Sequence, residues 1–181
     1  MKLIIGEGRT ILKGIAVELT KDNTRYVLLA LREFEAKCYA IVHHEHATED
    51  DIFFYGNDLL DTALVHNKTK EMAVNAFGKQ ILNCSHETLG GVVDAEMSLD
   101  TGDMKTITVE LTHGNTSVLL HAIRELEVKY QHIIHGEHSA EEDRPFYTHD
   151  LMQIKLIHDK IRKMAMSTFG DTILNFSHET L

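Results

Sequence analysis

The stretch Ile15-Ala16-Val17-Glu18-Leu19-Thr20 recurs further along the chain as Ile107-Thr108-Val109-Glu110-Leu111-Thr112. Outward from this pair, residues 15–89 align with residues 107–181 at a constant offset of 92 and without a gap. The two segments share 38 identities in 75 positions. A period of this length exceeds that of a solenoid repeat, so it indicates one small domain that was copied once.

The residue pattern within each copy predicts two strands, two helices and a third strand. Apolar runs on either side of a turn signal favour an antiparallel hairpin at the start of each copy, over 2–7 with 12–20 and over 92–99 with 104–112. Short apolar runs predict third strands at 81–85 and 173–177. The predicted fold class is therefore α+β, a tandem duplication of a small ββααβ domain in which two helices cover a three-stranded antiparallel sheet.

The ends of the two copies predict the domain boundaries. Leu181 is the counterpart of Leu89, so we expect two domains, 1–89 and 92–181, joined at Gly90-Gly91. About 90 residues make only a modest core, and two copies would stabilise each other by burying a shared face. We therefore expect a covalent pseudo-dimer with pseudo-twofold symmetry, which associates further into a homo-oligomer.

Polar caps predict where the helices begin. In the first copy the first helix should begin near Asn23-Thr24 and the second at Asp58, with the acidic run 49–51 in the loop between them. The equivalent features of the second copy are Asn115-Thr116, Asp150 and the run 141–143.

The second helix of each copy has a predicted core-facing stripe and a glycine stop. In the first copy the stripe consists of Thr62, Val65, Thr69 and Met72. His66 adjoins this stripe, as His158 does in the second copy, and we expect both to be hydrogen-bonded histidines at the margin of the core. Gly78 and Gly170 should end the helices, because glycine adopts the left-handed cap conformation without strain.

The composition excludes several classes of protein. The chain has 18 basic and 28 acidic residues, a formal net charge of −10, which argues against general binding to a nucleic-acid backbone. No run approaches the roughly 18 apolar residues of a membrane helix, and the first residues become acidic too soon for a signal peptide. The two cysteines, Cys38 and Cys84, cannot form a disulfide scaffold and are expected to be core thiols. We expect a soluble cytoplasmic protein without a membrane partner.

Histidine is frequent, with 13 residues, and one histidine cluster has the spacing of metal ligands. In His43-x-Glu45-His46 two histidines three residues apart on a last helical turn would point the same way, and the carboxylate would be a third ligand. The cluster recurs as His135, Glu137 and His138. The other interpretation is that these histidines interact with the helix dipole and stay solvated. A divalent metal is the cofactor that this spacing suggests.

A second histidine motif, His86-Glu87-Thr88-Leu89, recurs as His178-Glu179-Thr180-Leu181. Paired motifs of histidine, any residue, threonine or serine, and an apolar residue resemble those of the two-histidine phosphoesterases. The resemblance implies that His86 and His178 act as general base and acid on a phosphodiester, while Thr88 and Thr180 bind phosphate oxygens. Imidazoles titrate near neutrality and hydroxyls donate to an oxyanion, which suits this chemistry.

An aromatic pair precedes the predicted second helix in each copy. Phe54-Tyr55 and Phe146-Tyr147 stand where packing against the helix is the usual role. Aromatic side chains in a loop at this place are also suited to gripping a base or a partner side chain. These four residues are therefore candidate ligand-binding residues.

Two classes of function are compatible with these features. The leading hypothesis is a non-catalytic binding protein with paired, symmetry-related sites. It would inhibit a protein partner through an acidic surface or sequester a small nucleotide-like ligand. By analogy, small acidic proteins of this kind are frequent among phage and mobile-element accessory proteins, which act in the host cytoplasm. The alternative is a histidine-dependent hydrolase, either metal-dependent or similar to the two-histidine phosphoesterases.

Overall fold

The computed structural model describes residues 13–83, 105–136 and 144–174, and the sequence repeat reappears in it as a repeated order of elements. The first copy contributes strand β1 (Gly14–Thr20), helix α1 (Lys21–Val42), helix α2 (Glu49–Phe77) and a 3₁₀ helix (Lys79–Leu82). The second copy contributes strand β2 (Thr106–Thr112), helix α3 (His113–His135), helix α4 (Arg144–Phe169) and a 3₁₀ helix (Asp171–Leu174). Most of the described chain is therefore helical.

The sheet of the described residues joins the two copies. Strand β1 pairs antiparallel with β2, with Val17 opposite Val109 at the centre and Gly14 opposite Thr112 at one end. Val17 and Val109 are equivalent positions of the repeat. The strand pairing is therefore symmetric about this central pair, and a two-fold rotation there would exchange the two strands. The predicted three-stranded sheet within each ββααβ copy is wrong, because each described strand pairs with the strand of the other copy. An alternating pattern predicts a strand and its buried face but does not identify its partner.

The predicted third strands are 3₁₀ helices where the structure describes them. Gly78, with φ of +84°, ends α2, and the chain turns into Lys79–Leu82, which buries Ile81. The second copy repeats this turn at Gly170, which also has φ of +84°, and buries Ile173. The two predicted glycine stops are confirmed. The predicted strands are wrong because a short apolar run does not by itself distinguish a strand from a 3₁₀ turn whose apolar side chain packs into the core.

The helices begin earlier than the sequence predicted. Helix α1 is capped by Thr20, whose hydroxyl accepts from the Asn23 amide at 3.3 Å, so Asn23 lies in the first turn. Helix α2 is capped by Thr48, which forms a capping box with Asp51, so the predicted start at Asp58 is wrong. The acidic run predicted as a loop is instead the first turn of α2, where carboxylates complement the positive helix end. In the second copy α3 has its cap at Thr112 instead of Asn115-Thr116, and α4 begins at Arg144 instead of Asp150.

One hydrophobic core lies between the sheet and the helices. The inward residues of both strands are buried: Ile15, Val17, Leu19, Ile107, Val109 and Leu111. Helix α1 adds Phe34 and Cys38, and α3 adds Leu126 and Tyr130. The predicted core position of Cys38 is confirmed. Among the described helices, none combines the length and the apolar content that crossing a bilayer demands.

Two lysines connect the second helix of each copy to the strand of the other copy. Lys68 Nζ on α2 donates to the Glu110 carbonyl oxygen at 2.7 Å, and Lys160 Nζ on α4 donates to the Glu18 carbonyl oxygen at 2.6 Å. A lysine bound to a strand carbonyl discourages that strand from pairing with another chain.

Several predicted features lie outside the described residues. They are the strands at 2–7 and 92–99, the joint at Gly90-Gly91, the acidic run 141–143 and Cys84. The domain boundaries at 1–89 and 92–181 therefore stay predictions.

Candidate functional site

Helix α1 ends at the predicted histidine cluster, with His43 as its C-cap residue. His43 Nδ1 lies 2.9 Å from the Tyr39 carbonyl oxygen, and the two rings stack with centroids 4.0 Å apart. His46 Nε2 lies 3.4 Å from Glu45 Oε1, and these two side chains are 79% and 81% exposed. Within the described ranges no group of three or more His, Cys, Asp or Glu side chains is placed to hold a metal ion.

Other histidine candidates lie where the structure gives no description. His135 is the last residue of α3, but its predicted co-ligands Glu137 and His138 are outside the described residues. The same is true of the phosphoesterase-like residues His86, Thr88, His178 and Thr180. A metal site in the second copy and the hydrolase hypothesis therefore stay predictions.

The four aromatic candidates lie inside helices and not in a loop. Phe54 and Tyr55 belong to α2, and Phe146 and Tyr147 belong to α4. Both tyrosines are partly buried against the core, whereas Phe146 is 46% exposed. Phe54 contacts Phe53 edge to face, with centroids 5.3 Å apart. The predicted aromatic loop is wrong because the helices begin before these residues; a ligand-binding role for them stays a prediction.

A charged crevice runs between α1 and α3. Two ion pairs cross it, Lys37 Nζ to Glu125 Oε2 at 2.7 Å and Lys129 Nζ to Glu33 Oε2 at 2.6 Å, and they occupy equivalent positions of the repeat. Two cavities of about 90 and 150 Å³ lie along it, and Tyr147 lines the smaller one. Pockets for drug-sized ligands measure roughly 300–1,000 Å³. Neither cavity has room for a nucleotide while the ion pairs are closed.

Asp150 is a buried acidic residue whose environment the sequence did not predict. It is 1% exposed, and its Oδ1 accepts a hydrogen bond from Tyr26 Oη at 2.8 Å. Its Oδ2 is buried and has no hydrogen-bond partner among the described residues. Burial first, and then this carboxyl group, raise the pKa of Tyr26, so that the phenol stays protonated and donates. The bond links α1 of the first copy to α4 of the second.

Exposed apolar residues recur at equivalent positions of α2 and α4. Leu60 and Leu64 are 66% and 65% exposed, and Met152 and Leu156 are 60% and 62% exposed. Each pair is spaced by four residues, so it forms one patch on a single helix face. Sequence reasoning missed these residues because it assigned one apolar stripe to the helix. The available signal was a second apolar spacing on the side opposite Thr62 and its neighbours.

The outer face of the sheet is polar and acidic. Glu18 and Glu110, at equivalent positions, are exposed, and Thr106 Oγ1 donates to Glu18 Oε1 at 2.8 Å. A two-stranded ribbon has the width to enter the major groove of DNA, but carboxylates on this face repel phosphates. The face is better suited to a basic surface.

No family model, curated protein or solved structure matches the chain. Any proposal about its function must therefore be argued from its own surfaces. The described residues offer two outward apolar helix faces, an acidic sheet face and a crevice closed by ion pairs. The apolar faces are the surfaces that water solvates least favourably, which makes them the best candidates for an interaction site.

Proposed function

We propose that this protein is a non-catalytic binding protein that docks another protein on the exposed apolar faces of α2 and α4. The observation that supports this is the recurrence of Leu60 and Leu64 as Met152 and Leu156, all at least 60% exposed. A single exposed leucine needs no explanation, but adjacent exposed pairs on both outer helices are typical of an interaction surface. Complete burial of such a side chain stabilises a complex by about 1.5–3 kcal/mol.

A protein partner fits these surfaces better than a nucleotide-like ligand does. The two cavities between α1 and α3 in the described part of the chain, of about 90 and 150 Å³, are too small for a nucleotide, whereas an apolar helix face is accessible to another protein. For a partner other than a second copy of this chain, the formal net charge of −10 and the exposed Glu18 and Glu110 favour a basic protein, since the electric field accelerates encounter.

Photo-crosslinking in cells that express the protein tests the proposal. A photoreactive phenylalanine analogue replaces Leu60 or Met152, and matched controls carry it at Asn75 or Ser167, which are exposed equivalent positions of the same helices. We expect adducts with a protein from positions 60 and 152 and few from positions 75 and 167. An adduct with a second copy of the chain counts as a protein adduct. Equal yields at all four positions, or no adduct at positions 60 and 152, would contradict the proposal.

A thermal-shift measurement separates the protein partner from the nucleotide-like ligand. A ligand that binds only the folded state raises Tm. We expect no rise with a panel of linear and cyclic nucleotides. A saturable rise would favour sequestration of a nucleotide over docking of a protein.

A further inference from the structure

The exposed face of α2 has an apolar centre. Phe53, Leu60 and Leu64 are 64%, 66% and 65% exposed, and their spacings of seven and four residues place them on one side of the helix. Asn57 lies between them, also exposed, and its side-chain amide donates to the Phe53 carbonyl oxygen at 2.8 Å. We call these four residues the α2 stripe. The stripe is uncharged along its length.

The two ends of the α2 stripe carry opposite charges. Glu49 and Asp50 are exposed at the N-terminal end, and Lys68, Lys70 and Glu71 are exposed at the C-terminal end, where the two lysines outnumber the one carboxylate. The bond from Lys68 to the Glu110 carbonyl uses one of the three donors of the ammonium group and leaves its charge at the surface. An apolar centre with one acidic and one basic end is complementary to itself when two such helices run in opposite directions.

We propose that the occupant of the α2 stripe is the α2 stripe of a second copy of this chain, packed antiparallel about a two-fold axis. The proposal rests on the proposed function and names the partner of one of its two faces. With the axis near Leu59, Asp50 of one copy lies opposite Lys68 of the other, and Phe53 lies opposite Leu64. A parallel pair would instead place Asp50 against Asp50 and Lys68 against Lys68. The charges therefore select the antiparallel arrangement, which forms a closed, isologous dimer.

Gly56 supports a close approach of the two helices. Glycine weakens the interior of a helix relative to alanine. A Cβ atom at Gly56 would meet nothing within 4 Å, so no neighbour within the described chain requires glycine here. Ala63 lies seven residues further along the same side, and in the antiparallel pair it faces Gly56 of the other copy. Small residues at facing positions allow two helix backbones to come close together.

The equivalent face of α4 is less suited to pairing with itself. Pro145 replaces the phenylalanine of the stripe, and exposed Lys155 and Asp159 stand at the positions of Ala63 and Asn67. Lys155 stands near the centre of this face, and a charged residue at the centre of an interface must lose its hydration, which costs binding free energy. The α4 face therefore remains open to a different protein and serves as the matched control.

The mass of the full chain in solution, measured by sedimentation over a range of concentrations, tests the dimer. We expect the wild type to be a dimer that dissociates on dilution. Leu60→Gln with Leu64→Gln should raise the dissociation constant by about tenfold or more, while Met152→Gln with Leu156→Gln should leave it unchanged. A monomeric wild type at the solubility limit, or equal loss in both double variants, would overturn the proposal. Circular dichroism of each variant is the control for folding, and we expect the helical signal of the wild type.

Disulfide crosslinking tests the antiparallel direction. In a Cys84→Ser background, Leu60→Cys lies near the axis and should form a covalent dimer under mild oxidation. Phe53→Cys lies about 18 Å from its own counterpart in the antiparallel pair, given a rise of 1.5 Å per residue, and should not crosslink. Crosslinking of Phe53→Cys as efficiently as Leu60→Cys would overturn the antiparallel arrangement.

Failure of the dimer and failure of the proposed function give different results. If the wild type is monomeric and the photoreactive group at position 60 captures another protein, the second copy is the wrong occupant while the docking function stands. If the dimer forms through α2 but no other protein is captured at position 152, the dimer stands and the α4 face loses its assigned role.

Discussion

Cys38 shows how burial changes the chemistry of a single residue. Its side chain is fully buried on α1. Burial, with a smaller contribution from the negative charge of Asp58, raises the pKa of the thiol from 9.0 to about 12. A thiol with this pKa is protonated at neutral pH, so it fills core volume and does not act as a nucleophile. The equivalent residue of the second copy is Tyr130, whose pKa is also raised by burial.

We predict that Cys38 makes the folded state less stable in alkali. Below about pH 9 the thiol is protonated in both states, whereas between about pH 9 and pH 12 only the unfolded state releases the proton. The free energy of unfolding then falls by about 1.4 kcal/mol per pH unit for this group. Cys38→Ala costs stability at neutral pH through the lost packing but lacks this titration. Denaturant unfolding of both proteins under reducing conditions should show the difference shrinking above pH 9; parallel curves would contradict the prediction.

Asp58 and Asp150 show why residue environments could be predicted only in part. The two residues are equivalent in the repeat, and each looks like a helix cap because aspartate is favoured there. In the structure both lie within helices, and Asp150 is buried against Tyr26 while Asp58 is half-buried. The counterpart of Tyr26 is Val118, which has no hydroxyl to offer. The environment of Asp150 depends on a tyrosine from the other copy, so no local pattern could indicate it.

At the scale of the helices, a histidine–glutamate pair connects the two helices of each copy. His66 Nδ1 lies 2.7 Å from Glu35 Oε2, and His158 Nδ1 lies 2.8 Å from Glu127 Oε1. The two histidines are 18% and 17% exposed. The prediction of hydrogen-bonded histidines at the core margin is confirmed.

A double-mutant cycle measures this connection. We expect His66→Ala and Glu35→Ala each to lower the free energy of unfolding by about 1 kcal/mol, and the double variant to lose less than the sum, because the bond can be lost only once. The same cycle on His158 and Glu127 is the matched comparison and should give a similar coupling energy. Strictly additive losses in both cycles, measured by denaturant unfolding, would show that the pairs contribute nothing.

Helix ends were more predictable than helix starts. Gly78 and Gly170 stop α2 and α4 because a positive φ is accessible to glycine at little cost. The predicted helix starts were wrong because several neighbouring polar residues are suited to be the N-cap. The chain uses Thr20 and Thr48 in the first copy, each followed by a turn that contains aspartate. An acidic run is compatible with a solvated loop and with a first helical turn, and packing of the following residues decides between them.

At the scale of the whole molecule, each copy supplies a strand and a lysine that bind the other copy. The strands pair across the copies, and the lysines of α2 and α4 bind the strand of the opposite copy. Ion pairs between α1 and α3 cross the same boundary. The copies therefore share one core and should unfold together.

Val17→Ala tests this cooperation. Val17 is fully buried and lies opposite Val109, so removal of two methyl groups should lower the free energy of unfolding by about 2 kcal/mol. We expect one unfolding transition and reduced hydrogen-exchange protection in α3 as well as in α1. Thr108→Ala, at an exposed position of the facing strand, should change stability by less than about 0.5 kcal/mol. Loss of protection confined to the first copy would contradict a shared core.

The sequence by itself determined the duplication, the glycine stops and the burial of Cys38. These features follow from the local spacing of apolar residues and glycines, which indicates which side chains avoid water and where the backbone can turn. Only the tertiary structure decided that the strands pair between copies, that Asp150 is buried by Tyr26 and that Leu60 and Leu64 face outward. The first two depend on groups supplied by the distant half of the chain, and the third depends on which of the two apolar faces of α2 packs against the core. A periodic pattern carries no information about which surface a residue will meet.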